Sequence, residues 1–490
     1  MIQLRDYQSD IVTAVRQSYR AGNNAPLVVL PTGGGKTALF SYVANATAGN
    51  GKTVWLIAHR AELVKQISMM LARFGCMHNI VAPNPIIRQI KISQWEESKL
   101  VYVDPRASVH VCSAQTLVKR ADKMPSPDLI IVDESHHMTI GSTWGNIVQA
   151  QPQAKLLAVT ATPCRLDGKG LGSNHGGFAD DIIIGPSMSQ LIDAGYLSDY
   201  RVYAPPNNID LSCIKKRAGD FAIDQVTKEI DKPAITGDAV EHYLKICNGK
   251  RAIVFCCTVD HANHVAGDFE AAGIPSASID GSMDAAARDK VLRDFAAGTI
   301  LVLTSCAIVS EGFDLPAIEA AILLRPTASL SLYLQQVGRA LRTYDGKEYA
   351  VILDHVGNVA RHGFPDDDRE WSLEGAQKKP RNSEGNAVNV RTCPMCYAVH
   401  KPAPICIQCG HKYTEKERAA MEVKEGELIE ITKEQREIMK KIAHRSRKKE
   451  EWDCKTESEL AELGRQRGYK FADAWAAKMW AIRSTKSARG

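Results

Sequence analysis

The chain has 490 residues, 44% of them hydrophobic and 24% charged, with a formal net charge of +5. Such a composition is that of a soluble globular protein, and the length exceeds one ordinary core, so two large domains with smaller additions are expected. The N-terminus "MIQLRDYQSD" has no apolar signal-peptide core and no stretch approaches the roughly 18 apolar residues of a membrane span, so no membrane partner is expected. Of the 13 cysteines, nine are scattered and fit reduced thiols in a cytoplasmic protein. Residues 411–490 hold 20 Lys and Arg against 15 Asp and Glu, which equals the whole positive excess. Any charge argument for a nucleic-acid partner is therefore local to segments such as "KKIAHRSRKKE".

In chain order, short β-branched runs recur, each followed by a polar or glycine turn and a helical pattern. "APLVVLPTGGGK", "TVWLIAHR", "SVHVCSAQ", "DLIIVDES" and "KLLAVTAT" form one series; "RAIVFCCT", "SASIDG", "ILVLTS", "AAILLRP" and "YAVILDH" form a second. Runs apolar on both faces and spaced by helices predict parallel sheets covered on both sides, hence two α/β domains. The expected organisation is a first domain over 1–200, a connector over 201–234 and a second domain over 235–362. A polar linker over 363–390, a cysteine cluster over 391–412 and a basic helical tail over 413–490 follow. In parallel sheets, ligands sit beyond the carboxyl ends of the strands.

"LPTGGGKTALF" places Thr32, Gly33, Gly34, Gly35, Lys36 and Thr37 between a buried strand and a helix. Backbone N–H groups of such a loop close around phosphate oxygens, Lys36 reaches the outer phosphates and Thr37 offers its hydroxyl to Mg²⁺. The strict GxxxxGK[ST] pattern fails at its first position, Leu30.

"IIVDESHH" then ends an apolar run in Asp133, Glu134, His136 and His137. These could be four ligands for a transition metal or the charged tip of a strand aimed at a nucleotide. Alternate residues of a strand end point to opposite sides, so the four cannot converge on one ion. The second reading gives Asp133 to Mg²⁺ and Glu134 to the attacking water. His136 becomes a hydrogen-bonding group near the γ-phosphate, and His137 a polar residue of the following turn.

With these motifs in place, residues 1–360 resemble the DExH-type superfamily 2 helicases and translocases. The resemblance implies two tandem RecA-like domains that clamp ATP between them. In "LRDYQ", it implies that Gln8 pairs with the adenine edge and that Arg5 supports it. "AHRAELVKQ" and "CSAQTL" resemble strand-contacting motifs, giving Arg60, Ser113 and Gln115 to nucleic acid; "TATP" resembles the segment linking ATP state to strand grip. In "LTSCAIVSEGFDLP", Thr304 would face the phosphate backbone, with Glu311, Gly312 and Asp314 nearer ATP. "QQVGRALR" matches QxxGRxxR and gives Gln335, Arg339 and Arg342. An arginine delivered from a second domain stabilises the charge spread over the transferring phosphoryl group by about 10³ to 10⁵ in rate. Within the superfamily, "ILLRPTASLSLYLQQVGRALR" and the later cysteine cluster are most similar to the RadD (YejH-like) group of bacterial and phage DNA helicases. That likeness implies a role in DNA repair, recombination or phage replication and single-strand-binding protein as a partner.

"CPMCYAVHKPAPICIQCG" sets Cys393 and Cys396 ahead of Cys406 and Cys409. Two CxxC knuckles supply four thiolates for a structural Zn²⁺ with no open position, a small ribbon rather than a catalytic centre. The tail offers Lys440, Lys441, Arg445, Arg447, Lys448 and Lys449 on a helix, either solvated or contacting phosphate, and Tyr469, Trp475 and Trp480 as anchors of a small helical bundle. Together these readings describe an ATP- and Mg²⁺-dependent motor on single-stranded or forked DNA. The rivals are an RNA helicase, a restriction-type motor subunit, for which no convincing nuclease acid–lysine set is found, and an ATP-gated remodelling module that unwinds nothing.

Overall fold

The computed structural model describes residues 3–165, 168–204, 214, 216–217, 220–230, 239–281, 283–306 and 318–375. Beyond them it describes 391–392, 399–400, 405, 410–412, 430–431, 454, 456–466, 473, 476–477 and 479–480. The chain forms two compact units. One comprises 1–199, 211–350 and 365–376; the other comprises 200–210, 351–364 and 377–490. Among the described residues no helix is long and apolar enough to cross a membrane.

The first unit begins with α1 (Asp6–Arg20), β1 (Pro26–Val29), α2 (Lys36–Gly49), β2 (Val54–Ala58), α3 (Ala61–Arg73), β3 (Asn79–Val81) and α4 (Asn84–Ser98). It continues through β4 (Val109–Ser113), α5 (Ala114–Leu117), β5 (Leu129–Val132), α6 (Thr143–Gln149), β6 (Lys155–Thr160), β7 (Asp181–Ile184) and α7 (Met188–Asp193). The strands form one parallel sheet in the order β3-β4-β2-β5-β6-β1-β7. Successive residues of a strand face opposite sides. Accordingly Val28, Leu56, Val111, Ile131 and Val159 pack against Ile11, Phe40 and Val64, while Leu27, Trp55, Ile57, Ile130 and Ala158 pack against Leu117 and Ile147. Burial on both faces explains the uninterrupted apolar runs, at about 1.5–3 kcal/mol for each large side chain. It also sets the site, because β5, β6 and β1 are adjacent and their carboxyl ends open on one edge.

The chain continues as β8 (Asp199–Tyr203), a hairpin of β9 (Lys216–Arg217) and β10 (Asp220–Phe221), and α8 (Ile223–Ile230). The segment read from sequence as a connector thus carries regular structure of its own. Phe221 and Ala222 are buried, and Asp220 accepts hydrogen bonds from the Ala328 N–H at 2.7 Å and the Thr327 hydroxyl at 3.0 Å. These bonds dock the hairpin on the second sheet's loops, which its polar composition did not announce.

The second lobe of this unit contains β11 (Ala252–Phe255), α9 (Val259–Ala271), β12 (Ser276–Ile279), α10 (Ala285–Ala297), β13 (Val302–Ser305), β14 (Ala320–Leu323) and α11 (Leu330–Ala340). Its strands run parallel in the order β12-β13-β11-β14. Thr258, Asp284 and Ser329 accept hydrogen bonds from first-turn N–H groups of α9, α10 and α11, which fixes where each helix begins. Residues 365–376, within the expected polar linker, also pack on the first lobe. Trp371 and Leu373 lie against the Trp55 side of its core, and Leu373 accepts the Gly172 N–H at 3.0 Å. Two apolar side chains suffice to anchor an otherwise polar stretch.

In the second unit, β15 (Tyr349–Asp354), most of whose residues belong here, neighbours β8, and β8 pairs antiparallel with Glu430–Ile431. Arg391–Thr392 pairs antiparallel with Val399–His400. Near the C-terminus Leu460, Ala461 and Ala476 form a small cluster with Cys454, Met479 and Trp480 packed on it, so Trp480 anchors helices.

Candidate functional site

The loop after β1 is shaped by Gly33 and Gly35, whose φ angles of 83° and 78° lie in the left-handed region that favours glycine. Leu30, which breaks the strict phosphate-loop pattern, has no positive φ. It is fully buried and still extends the strand, its N–H donating to the Thr160 carbonyl at 3.0 Å. Nothing at that position demands a glycine. Lys36 opens α2 and donates to the Leu30 carbonyl at 3.4 Å, folded back along its own loop. Thr37 follows in the first turn, and Thr32 is buried.

Arg5 and Gln8 bracket this loop from the other side. The Gln8 amide donates to the carbonyls of Gly35 at 3.2 Å and Gly34 at 3.4 Å, and Tyr7 donates to Gly34 O at 2.9 Å. Arg5 donates to the Tyr7 hydroxyl at 3.0 Å and lies over the Tyr196 ring at 4.4 Å. The segment expected to read adenine is therefore bonded to the phosphate loop. Tyr7 and Tyr196, which sequence reading did not single out, are part of that link.

At the end of β5, Asp133 accepts the Glu134 N–H at 2.9 Å, and both carboxylates are buried. Glu134 holds φ 50° and ψ 46°, a left-handed conformation that costs a non-glycine residue about 1–3 kcal/mol. The strained, buried acid follows β5, which β6 separates from β1 and the loop after it. Glu134 Oε2 lies 3.4 Å from His136 Nδ1, and His136 Nδ1 lies 3.2 Å from Thr160 Oγ1. Thr160 Oγ1 already donates to the Thr162 carbonyl at 3.0 Å, so His136 is the donor to Thr160 and carries its proton on Nδ1. His137 closes the turn Ser135–His137 that follows the strand, its ring tilted against His136 at 4.2 Å and His59 at 5.5 Å.

The second lobe brings α11 to this edge. Gln335 Nε2 reaches Glu134 Oε2 at 3.5 Å, and the Thr162 hydroxyl donates to Ser331 Oγ at 2.7 Å, both buried. A Cβ added to Gly338 would lie 2.7 Å from Thr32 Cβ, so this glycine lets the helix meet the loop. Arg339 is buried in the same helix. Arg342 follows it, its Cγ 3.8 Å from where a Cβ on Gly33 would sit. Gln335 thus meets Glu134, with His136 beside that acid, and Arg342 meets Gly33; Lys36 and Asp133 lie on the first-lobe side, and Arg339 is buried in α11. Ser331 and Gly338 were missed as individuals, although Gly338 stands inside the quoted QxxGR pattern.

The hydroxyl of Thr37 and the carboxylate of Asp133 are hard oxygen donors of the kind Mg²⁺ takes beside phosphates, and Gly33 and Gly35 give the loop the left-handed turns of an anion-binding segment. The donor set fits Mg-ATP.

At the carboxyl ends of β2 and β4, Ala58 pairs with Ser113, just ahead of Arg60 and Gln115. Arg60 Nε donates to His59 Nε2 at 3.1 Å, Ser113 Oγ to Gln115 Oε1 at 2.9 Å, and Gln115 Nε2 to the His59 carbonyl at 3.4 Å. Thr304 does not join them. It is fully buried in β13 and its hydroxyl donates to the Ala262 carbonyl of α9 at 2.7 Å, so the expected phosphate contact is corrected to a strand–helix tie. Glu311, Gly312 and Asp314 lie outside the described residues, as do Cys393, Cys396, Cys406 and Cys409.

Two families match along the chain: "Type III restriction enzyme, res subunit" over residues 1–165 and "Helicase conserved C-terminal domain" over residues 237–344. A 51.5 kDa protein of Lactococcus phage (isolate 7-9) is 31% identical over 432 residues, covering 87% of this chain and 87% of that protein. The chain belongs to the superfamily 2 helicases. This helicase is also 29% identical over 373 residues to the protein named as ATP-dependent helicase IRC3 in Saccharomyces cerevisiae, covering 72% of this chain and 51% of that one. Its fold resembles the DNA-bound ATP-dependent Type ISP restriction-modification enzyme LlaBIII at a TM-score of 0.50 and 20% identity, over 72% of this chain and 27% of that one. The helicase therefore spans about half the length of the yeast relative and about a quarter of LlaBIII. Its core is that of an ATP-dependent nucleic-acid enzyme, related to restriction-enzyme subunits as well as to helicases. The restriction-type motor, a rival in the sequence reading, is thus a relative of this core.

Proposed function

We propose that the helicase is a DNA-directed motor that hydrolyses Mg-ATP at the seam between lobes 1–200 and 235–362 and uses the cycle to move along, or separate, DNA strands. The observation that carries this reading is the contact of α11 with both the phosphate loop, through Gly338 and Thr32, and the acid Glu134, through Gln335. Lys36 and Thr37 hold the phosphates and the ion with Asp133, Glu134 orients and deprotonates water, and Arg339 and Arg342 stabilise charge on the transferring group. Arg60, Ser113 and Gln115 face the strand. Preference for DNA is supported by the restriction-modification relative bound to DNA; the backbone-gripping edge by itself would accept RNA. Titrating the ATPase rate with single strands, duplexes, forks and RNA tests the reading: stimulation by single-stranded or forked DNA is expected. Stimulation by RNA alone would make it an RNA helicase, and stimulation only by a protein partner would make it a remodelling module.

The finer assignment is a RadD-like role in repair, recombination or phage replication, in the cytoplasm, with single-strand-binding protein as a partner. It includes one structural Zn²⁺ held by Cys393, Cys396, Cys406 and Cys409 in the segment 391–412. Elemental analysis of the purified chain should return about one zinc per chain, lost when Cys406 and Cys409 become serine; a chain without zinc would remove the ribbon.

A further inference from the structure

We propose that Lys347 is a positioning residue for Arg342: its side-chain nitrogen ties the carboxyl end of α11 to the second sheet and so fixes the backbone from which that arginine reaches the seam. The last carbonyls of a helix lack partners within it and need donors from elsewhere. Here one side chain serves the last carbonyl of α11, that of Ala340, and two carbonyls outside the helix. Lys347 Nζ donates to the carbonyls of Ala340, of Arg342 at 2.7 Å and of Ile318 at 2.9 Å, the last just ahead of β14. An ammonium has three protons, and each has an acceptor. A cation at a helix carboxyl terminus is also favoured by the helix dipole.

The same stretch is gripped from the first lobe. The Ser198 N–H donates to the Leu341 carbonyl at 2.8 Å, the Ser198 hydroxyl to the Arg342 carbonyl at 3.3 Å, and Leu197 bridges Arg342 antiparallel. Leu197 Cδ2 and Arg342 Cγ both lie beside Gly33 of the phosphate loop. The Arg342 carbonyl is thus held at once by Lys347 from its own lobe and by Ser198 from the other. Losing Lys347 would free the helix end on the side that no first-lobe contact supports.

The charge state of Lys347 is set by its surroundings. Burial pushes its ammonium down to about 7, with Lys250 and Arg342 acting in the same direction and Glu319 opposing them. Tyr344 faces it with its ring 5.6 Å from Nζ, and Arg251 packs on that same ring. Below about pH 7 three protons serve three carbonyls. As pH rises through that value the neutral amine keeps two, and one carbonyl is released.

The inference rests on the proposed role of Arg342, so the test carries Arg342→Ala as its control. In the full-length chain, Lys347→Met should lower the melting temperature through the unpaired carbonyls and, in the protein that folds, lower kcat on the order of 10- to 100-fold with KM for ATP little changed, the scale expected of a misplaced catalytic group. Wild-type kcat should show a limb that falls as pH rises through about 7. Lys347→Arg, charged throughout, should lack that limb, which decides the matter should the methionine variant fail to fold. A folded Lys347→Met protein with wild-type kcat, or a limb that persists in Lys347→Arg, overturns the proposal. If Arg342→Ala slows hydrolysis and Lys347→Met does not, Lys347 alone loses its role. If neither slows it, the arginine reading itself falls.

Discussion

The two lobes of the motor unit meet in two different ways. At the nucleotide seam the contacts are buried and made by groups with little freedom: Gly338 on Thr32, Ser331 with Thr162, Gln335 with Glu134. Elsewhere, α10 reaches α3 and α4 through longer side chains that keep some exposure, 18% for Arg288 and 23% for Glu62: Arg288 bonds Glu62 at 2.5 Å and Gln89 bonds Asp289 at 2.5 Å. Burial makes an unpaired polar group costly, whereas a partly hydrated pair can exchange its partners for water at small cost. The seam is therefore suited to all-or-none closure, and the outer contact to repeated making and breaking.

The sharpest way to test that division is at the acid of the seam. Glu134→Gln should keep ATP binding and lose about 10²- to 10⁴-fold in turnover, the range of a general base; hydrolysis at the normal rate would give the base to another group. Next, Gly338→Ala places a methyl where Thr32 stands. With α11 pushed back, kcat should fall on the order of 10²-fold in a protein that melts normally, and an unaffected kcat would mean that the lobes need not touch there.

A third test addresses the platform beneath the outer contact. His78 is fully buried, with Nδ1 2.9 Å from the Cys76 carbonyl and Nε2 2.7 Å from Ser68 Oγ of α3, which in turn accepts Gln94 of α4 at 3.0 Å. Burial lowers its pKa from 6.5 to about 4. The unfolded chain then binds the proton first, so stability is full above pH 6.5 and is lost as pH falls towards 4, by ~3 kcal/mol at the limit. Melting temperatures between pH 7 and 4.5 should fall in the wild type and fall less in His78→Gln; parallel curves would refute the assignment. The smallest effect is expected at the outer pair itself. Glu62→Ala, judged by melting temperature, should cost about 1 kcal/mol or less, and a cost of several kcal/mol would erase the contrast between the two contacts.

Both sheets and the phosphate loop could be read from the sequence because they rest on local signals. Buried parallel strands write themselves as apolar runs, and a loop that must turn left-handed at Gly33 and Gly35 spells itself in glycines. What could not be read depends on pairings far apart in the chain. The motif around Thr304 resembles a phosphate-contacting segment, yet the orientation of its side chain places the hydroxyl on α9. Ser331 and Tyr196 are ordinary residues until Thr162 and Arg5 are brought to them. Trp371 and Leu373 were lost in a polar average, although two apolar side chains in twelve residues are enough to dock a segment.

The central claim is that hydrolysis requires groups from both lobes at one seam. It is tested most directly by loading the full-length chain with ATP and following a single turnover in the wild type and in the variant carrying Arg339→Ala and Arg342→Ala. The account predicts that the variant binds ATP with nearly unchanged affinity and cleaves it about 10³- to 10⁵-fold more slowly. Cleavage of bound ATP at the wild-type rate would contradict it.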